Sequence, residues 1–511
     1  MNLSGKLRAV AVLWVSLFWM TCVAVPVGWV FSRAVGFSHE SLFDPGILSV
    51  LRFTVTQALW STLISTVIGL PLGLWLGGAP SRFVRGLLLI PYGVPTVVVG
   101  MTITTWLGRS GILSHYLDWS YSLKAVVVAH VLLNAPWVAL QVSQARSDVP
   151  GEQIEAARTL GAGAFERFFS VIHPYVKWSL ATACAQVFGL CVMSFALILL
   201  LGGGPPVQSL ETEIFARIRF SSLDMTGAVT CAFWELLVTL IPWTLVLTFQ
   251  ARQKKNAFVA SKSKLKVEHV WKQRSRAAVC ALFVLPYFTL FHAGTWKFFA
   301  ALIQDESMRA PLVLSFELAI TVGVFALLTA VAGVFASLKF ESLALPLAMP
   351  SGLSVLVLGL GFFLAYGKWI DPFEGSFLAM VALQVTLIFP VLFRSLLPVA
   401  SGTQKRLLEA AVTLGASPFE AFWWVEWPRW RRPLFSALAI AAGSSLGEVA
   451  AVSLFYSEKL IPLPLLVTRW MGQYHFEEAQ ALAALLFLLC AGLIGLVVWP
   501  SGSEGGECAE A

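Results

Sequence analysis

The chain is written mostly in long apolar runs, and its polar residues fall in short bursts between them. A helix needs about 20 mainly apolar residues to cross a bilayer. Runs of that length predict spans at about 9–31, 50–78, 84–107, 122–145, 178–201 and 226–250. Six more are predicted at about 277–299, 311–337, 343–366, 375–398, 433–456 and 478–499. The first run, Val10–Phe31, follows Lys6 and Arg8 as a signal peptide would. It is long and shows no clear small-residue cleavage site, so it reads as a retained span. The expected fold class is an all-α polytopic membrane protein of about twelve transmembrane helices, arranged as two six-helix parallel repeats.

Two polar bursts are nearly the same. "EAARTLGAGAFERFFSVIHP" runs from Glu155 to Pro174, and "EAAVTLGASPFEAFWWVEWP" from Glu409 to Pro428. Glu155 and Glu409, Gly161 and Gly415, and Pro174 and Pro428 are each 254 residues apart. Pro136 and Pro390, inside the preceding runs, keep that offset, as do Leu180 and Leu434 after the bursts. Upstream, "PYGVPTVVVG" from Pro91 pairs with "PSGLSVLVLG" from Pro350 at an offset of 259, which small loop insertions explain. Parallel repeats of this kind place a pseudo-two-fold axis along the membrane normal, with a pathway between them.

Each burst predicts two short helices bent at a glycine. Ser417 can cap the second helix, Pro418 suits its first position, and Glu420 completes a capping box. Gly415 can end the first helix in a left-handed conformation. Gly161, Gly163 and Glu166 take the matching places in the first copy, and Pro174 and Pro428 are expected near the second helix's end. Ala156, Ala157, Leu160, Ala164, Phe165 and Phe168 form an apolar face at helical spacing. Such an element is too polar and short to span. It either lies on lipid headgroups or docks a partner, and repetition in register favours docking.

Composition adds limits. Of 511 residues, 58% are hydrophobic and 12% charged, half the charged share usual for soluble proteins, which excludes a large soluble core. The net charge of +7 does not call for nucleic acid, because the basic residues sit in short loops. Ala251–Arg276 carries nine Lys/Arg and one Glu, which marks the cytoplasmic side. Both termini, both bursts, and Arg82 and Arg85 then share that side. Six of the seven cysteines lie in apolar runs and none forms a CxxC pair, so they read as small buried residues. The Trp and Phe content belongs to interfaces and lipid-facing packing; Trp423, Trp424, Trp427 and Trp430 are expected at the interface beside the second burst.

The Glu-Ala-Ala start, the Gly six residues on and the Pro nineteen on resemble the signature loop of ATP-binding-cassette importer permeases. In that family the loop is a coupling helix seated in an ATPase subunit. The resemblance implies docking roles for Glu155, Ala156, Ala157 and Gly161, and for Glu409, Ala410, Ala411 and Gly415. It implies the type I importer permease fold, two ATPase subunits, a periplasmic substrate-binding protein and the bacterial inner membrane. It divides the chain into a first permease domain (1–250, signature loop 150–174), a basic linker (251–276), a second domain (277–499, loop 403–428) and a disordered cytoplasmic tail (500–511).

No G-x-x-x-x-G-K-[ST] is present, so the chain is expected to be no enzyme and to bind no cofactor itself, with ATP and Mg held by the partner ATPase. Among fused permeases it resembles the thiamine/thiamine pyrophosphate branch more closely than the ferric-iron branch. The segments that carry this are Gly108–Trp137, Val149–Gln153, Leu201–Ile218 and Leu446–Tyr474. Ionisable residues inside spans face a pathway or a partner. Glu448, Glu235, Glu317 and Asn134 are the pathway candidates, with Arg394 and His130 as further polar positions; each also has a bland reading as an inter-helix contact. A rival class, an ion-coupled secondary transporter, would use the same carboxylates but has no motor to dock. No catalytic cluster supports a membrane enzyme or scaffold.

Overall fold

The computed structural model describes residues 5–36, 39–77, 80–109, 111–117, 119–220, 223–257, 270–291, 293–302, 306–371, 373–401 and 405–498. The centre of the expected linker and the expected tail lie outside the described residues. Every regular element among the described residues is helical, apart from two isolated bridges, Gly204 to Val207 and Ser457 to Leu460.

The helices form two matched series. In the first, α1 (Ala9–Val35) and α2 (Pro45–Leu76) lead to α3 (Arg82–Gly93) and α4 (Thr96–Leu107), bent from each other by 90°. Then come α5 (Leu123–Ser147), α6 (Gly151–Thr159), α7 (His173–Val192), α8 (Leu210–Arg219) and α9 (Met225–Ala257). The second series is α10 (Val270–Ala281), α11 (Ala293–Leu302), α12 (Glu306–Lys339), α13 (Val355–Tyr366), α14 (Phe377–Ser401), α15 (Lys405–Thr413), α16 (Trp427–Gly447), α17 (Leu463–Gly472) and α18 (Phe476–Val498). The register of the repeat survives at helix ends. Leu123 and Ser147 of α5 answer Phe377 and Ser401 of α14, both at 254; Thr96 and Leu107 of α4 answer Val355 and Tyr366 of α13, both at 259.

Among the described residues, eight helices are long and apolar enough to cross a membrane, or nine if α3 and α4 count as one. The other expected spans are interrupted. The 84–107 run bends because Pro95 pushes Val94 into extended backbone (ψ 138°). The 277–299 run breaks into α10, a 3₁₀ turn at Leu285–Leu290 that carries Pro286 in its first turn, and α11. The 343–366 run starts as short turns at Ala344–Ala348 and Met349–Gly352, with prolines at 346 and 350, before α13. The 433–456 run stops at Gly447, where Glu448 turns extended, and resumes as the short helix Ala450–Ser453.

Within each series the same partners meet: α2 packs on α5 and α7, α12 on α14 and α16, α7 on α9, and α16 on α18. Gly69 and Gly73 explain the close α2–α5 pair, since a Cβ at either would lie 2.6 Å from α5 atoms. Polar clamps are repeated as well. Thr54 of α2 accepts the Leu210 N–H of α8 (3.0 Å), and Ser315 of α12 accepts the Leu463 N–H of α17 (2.7 Å).

The series then exchange their leading segments. α1 packs on α12 and α13, while α10 and the turn after it pack on α3 and α4. Trp14 donates to Thr329 (3.3 Å), Trp19 to the Pro346 carbonyl (3.1 Å) and Tyr366 to the Thr21 carbonyl (2.8 Å). In the other direction, Trp106 donates to Thr289 (3.1 Å). Helices α9 and α18 complete the seam, against α13 and against α3 and α4 respectively.

Candidate functional site

The twin bursts adopt one geometry. α6 and α15 each end in a glycine at positive φ, Gly161 at 80° and Gly415 at 87°. In the first copy, Gly161 N–H reaches the Arg158 carbonyl and Ala162 N–H the Ala157 carbonyl, both at 3.0 Å. In the second, Gly415 reaches Val412 and Ala416 reaches Ala411, again at 3.0 Å. This paired bond pattern is the Schellman ending, and only a residue tolerant of left-handed backbone completes it cheaply. Reciprocal capping follows. Gly163 N–H donates to Glu166 (3.0 Å), Ser417 N–H to Glu420 (2.8 Å), and Glu420 N–H to the Ser417 hydroxyl (3.3 Å). Hydrogen bonding to the carboxyl from Ser417, its backbone N–H first and its side chain second, holds exposed Glu420 below its ordinary range.

Pro174 and Pro428 do not end the second helix as expected. One turn of α-helix (Ala164–Arg167 or Pro418–Ala421) widens into a π turn (Phe168–Ile172 or Phe422–Glu426) and continues into α7 or α16. Each proline sits in the first turn after the π segment. The wider turn leaves room for the ring and needs no N–H from it, so the helix runs on.

The docking candidates Glu155, Ala156, Gly161, Glu409, Ala410 and Gly415 are exposed, and Ala157 and Ala411 half-buried. The expected apolar face is largely open: α6 and Ala164–Arg167 contain no buried residue, Ala157 and Phe168 are half-buried, and Phe165 and Phe168 meet Phe169. Leu160 and Leu414 stand 86% and 87% exposed, and Phe165 and Phe419 are exposed beyond the bend. The Trp cluster divides. Trp423 and Trp424 are exposed, while Trp430 is buried against Phe335.

Of the pathway candidates, the structure brings Glu235 and Glu448 into one neighbourhood. It adds Glu211 of α8, which the sequence reading passed over. Glu211 and Glu235 are buried, at 1% and 0% exposure, with the Glu235 carboxyl facing that of Glu211. Ser354, at the bend before α13, donates across the seam to Glu211 (2.7 Å). Glu448 lies close enough to act on Glu211 through space, and it accepts the Ala450 and Ala451 N–H groups at 2.8 and 3.3 Å. Glu211 was hidden because "SLETEIFAR" has the capped, charged start of a surface helix; Ser209 and Thr212 do cap it.

The others lie elsewhere. Glu317 is exposed between exposed Phe316 and Ile320. Asn134 donates to Cys191 within the first series (3.5 Å), and His130 bonds Ser61 (3.0 Å) and Ser194 (2.8 Å). Arg394 donates to the Ala348 carbonyl (3.0 Å) and lies over Trp243 across the seam. A cavity of about 960 Å³ spans both series beyond this cluster, lined by Tyr121, Phe215, Arg219, Tyr456, Arg469 and Tyr474, among others. The six described cysteines are free; Cys508 lies outside the described residues.

Comparison with known proteins matches the chain twice to the model of "Binding-protein-dependent transport system inner membrane component", over residues 65–253 and 320–498. Among curated proteins it is similar to the thiamine transport system permease protein ThiP of Brucella abortus (strain 2308), 28% identical over 90% of this chain and 89% of that protein. The proteins of that name from Haemophilus influenzae and Escherichia coli (strain K12) are 25% and 26% identical, covering 89% and 88% of both chains.

Proposed function

This chain belongs to the family of binding-protein-dependent transport system inner membrane components, and from that premise we propose that it is a two-domain permease of an ATP-driven importer of thiamine or its pyrophosphate ester. The observation that carries the motor reading is the repeated exposed element. Two elements with one backbone geometry hold Leu160, Phe165, Leu414 and Phe419 away from their own body. Two exposed knobs on a rigid bend suit two copies of one partner. The thiamine assignment rests on the printed names of relatives that align along almost the whole chain.

In this reading two ATPase subunits grip the elements. Their closure draws the elements together and turns the two series about the seam. The seam then opens toward a loaded periplasmic binding protein, and reset returns it. Only partners that bind the two states differently can shift that balance. In this reading both elements, both termini and the basic stretch share the cytoplasmic face, the side that the nine Lys/Arg of Ala251–Arg276 mark. Glu155, Ala156, Ala157 and Gly161, with Glu409, Ala410, Ala411 and Gly415, form the grips.

The test is uptake in proteoliposomes holding this chain, its co-encoded ATPase and its co-encoded binding protein, with labelled thiamine and ferric iron offered separately. Thiamine accumulates in an ATP-dependent way, and Gly161→Val with Gly415→Val abolishes it. Iron uptake alone would keep the architecture and replace the cargo. The buried carboxyls favour one other reading, an ion-coupled carrier. Uptake that follows an imposed ion gradient without any ATPase would select it.

A further inference from the structure

Buried carboxylates are held by cations or by full sets of hydrogen bonds. The Glu211–Glu235 pair has neither. Ser354 supplies one hydrogen bond, while Glu211 Oε2 and both Glu235 oxygens have no hydrogen-bond partner. Among the described residues no ion pair reaches either residue. Their chain neighbours Leu210, Ile214 and Leu236, and Leu353 and Leu356 beside Ser354, are all buried as well. As two carboxylates the facing pair repels itself, and a shared proton or a bound cation would relieve that.

The pair also lies one helical turn from a cavity. Phe215, one helical turn beyond Glu211 on α8, lines the 960 Å³ cavity shared by the two series. Aromatic faces there already engage a cation, since the Arg219 guanidinium stacks on Tyr456 at 4.0 Å and on Phe373 at 5.3 Å. Arg219 also donates to the Tyr456 carbonyl across the seam (3.1 Å). Rings that attract a guanidinium attract other flat cations in the same way.

We propose that Glu211 and Glu235 form the cation-recognition site of the pathway, taking the positively charged ring of an organic-cation cargo. The Ser354 bond seals the site while the seam is closed. When the series separate, Ser354 leaves with α13 and the carboxylates face the cavity. Glu448 adds negative charge at the same level. The proposal rests on the cargo class argued in the preceding subsection, and it assigns the residues that would recognise it.

Glu211→Gln, Glu235→Gln and Ser354→Ala are compared with the unaltered chain in the full proteoliposome assembly. The probes are labelled thiamine and a neutral isostere with thiophene in place of the thiazolium ring. Removing either carboxylate charge is expected to lower thiamine uptake about tenfold or more, the effect of losing a buried charge pair. Stimulation of ATP hydrolysis by the loaded binding protein remains, because the docking elements are untouched, and this also reports correct folding. Ser354→Ala keeps the charges and is expected to keep uptake. Isostere uptake is expected to be unaffected by the Gln changes. A structural acid pair makes the opposite pattern, since Gln preserves its shape and hydrogen bonds. Thiamine uptake at the unaltered rate in both Gln variants would therefore overturn the site alone. An unaltered chain that carries no thiamine would overturn the cargo reading, and the site with it.

Discussion

At the scale of single residues, two kinds of glycine do different work. A Cβ on Gly161 or Gly415 meets nothing within 4 Å, so their requirement is the left-handed backbone alone. Gly161→Ala is expected to cost about 1–2 kcal/mol locally, read as faster amide exchange at Gly161 and Ala162, whereas Gly161→Asn costs less. Gly352 is the reverse case. Its backbone is ordinary, but a Cβ would sit 2.4 Å from Trp243 of the other series. Gly93 meets Ile494 in the matching place, at 2.5 Å. Gly352→Ala should lower the thermal stability of the whole chain by about 1–3 kcal/mol through overpacking. Glu420 offers a pH reading. Its carboxyl is held below the ordinary range, so its capping contribution is complete above about pH 4.3, the usual glutamate value. The contribution is lost as pH falls through the lowered value. Titration of Glu420 by NMR should show this, and Ser417→Ala should move the midpoint up.

At the scale of elements, the bent two-helix unit at each burst was largely legible in sequence. The glycine, the cap and the apolar spacing are local signals, and local hydrogen bonds satisfy them without help from the rest of the fold. The π turn was not legible. Pro174 and Pro428 read as helix ends because a proline cannot donate to a regular ladder. A widened turn that accommodates the ring depends on the spans into which the helix continues. Exposure of Leu160 and Leu414 leads to a further expectation. Leu160→Ser with Leu414→Ser should leave stability within about 0.5 kcal/mol, as surface changes do, while pull-down of the ATPase falls sharply. An equal loss of stability would show that these side chains pack on the permease itself.

At the scale of the whole molecule, the two series are joined by exchange as well as by contact. Helix α1 belongs to the first series by sequence and to the second by packing. Cysteines at Trp14 and Thr329, where the indole N–H now meets the threonine hydroxyl at 3.3 Å, should be joined by a short bis-methanethiosulfonate linker that spans the space the indole fills. Cleavage between 258 and 269 would then leave the halves as one band under non-reducing conditions, and two bands would contradict the exchange. The sequence by itself determined the helical class, the duplication and its 254-residue register, since these follow from apolar run length and from signals that act within a few residues. Tertiary structure alone decided which helices change sides, where the long runs break, and that Glu211, Glu235 and Ser354 meet. Burial is a property of what packs around a residue, and Ser354, which bonds Glu211, stands 143 residues away along the chain.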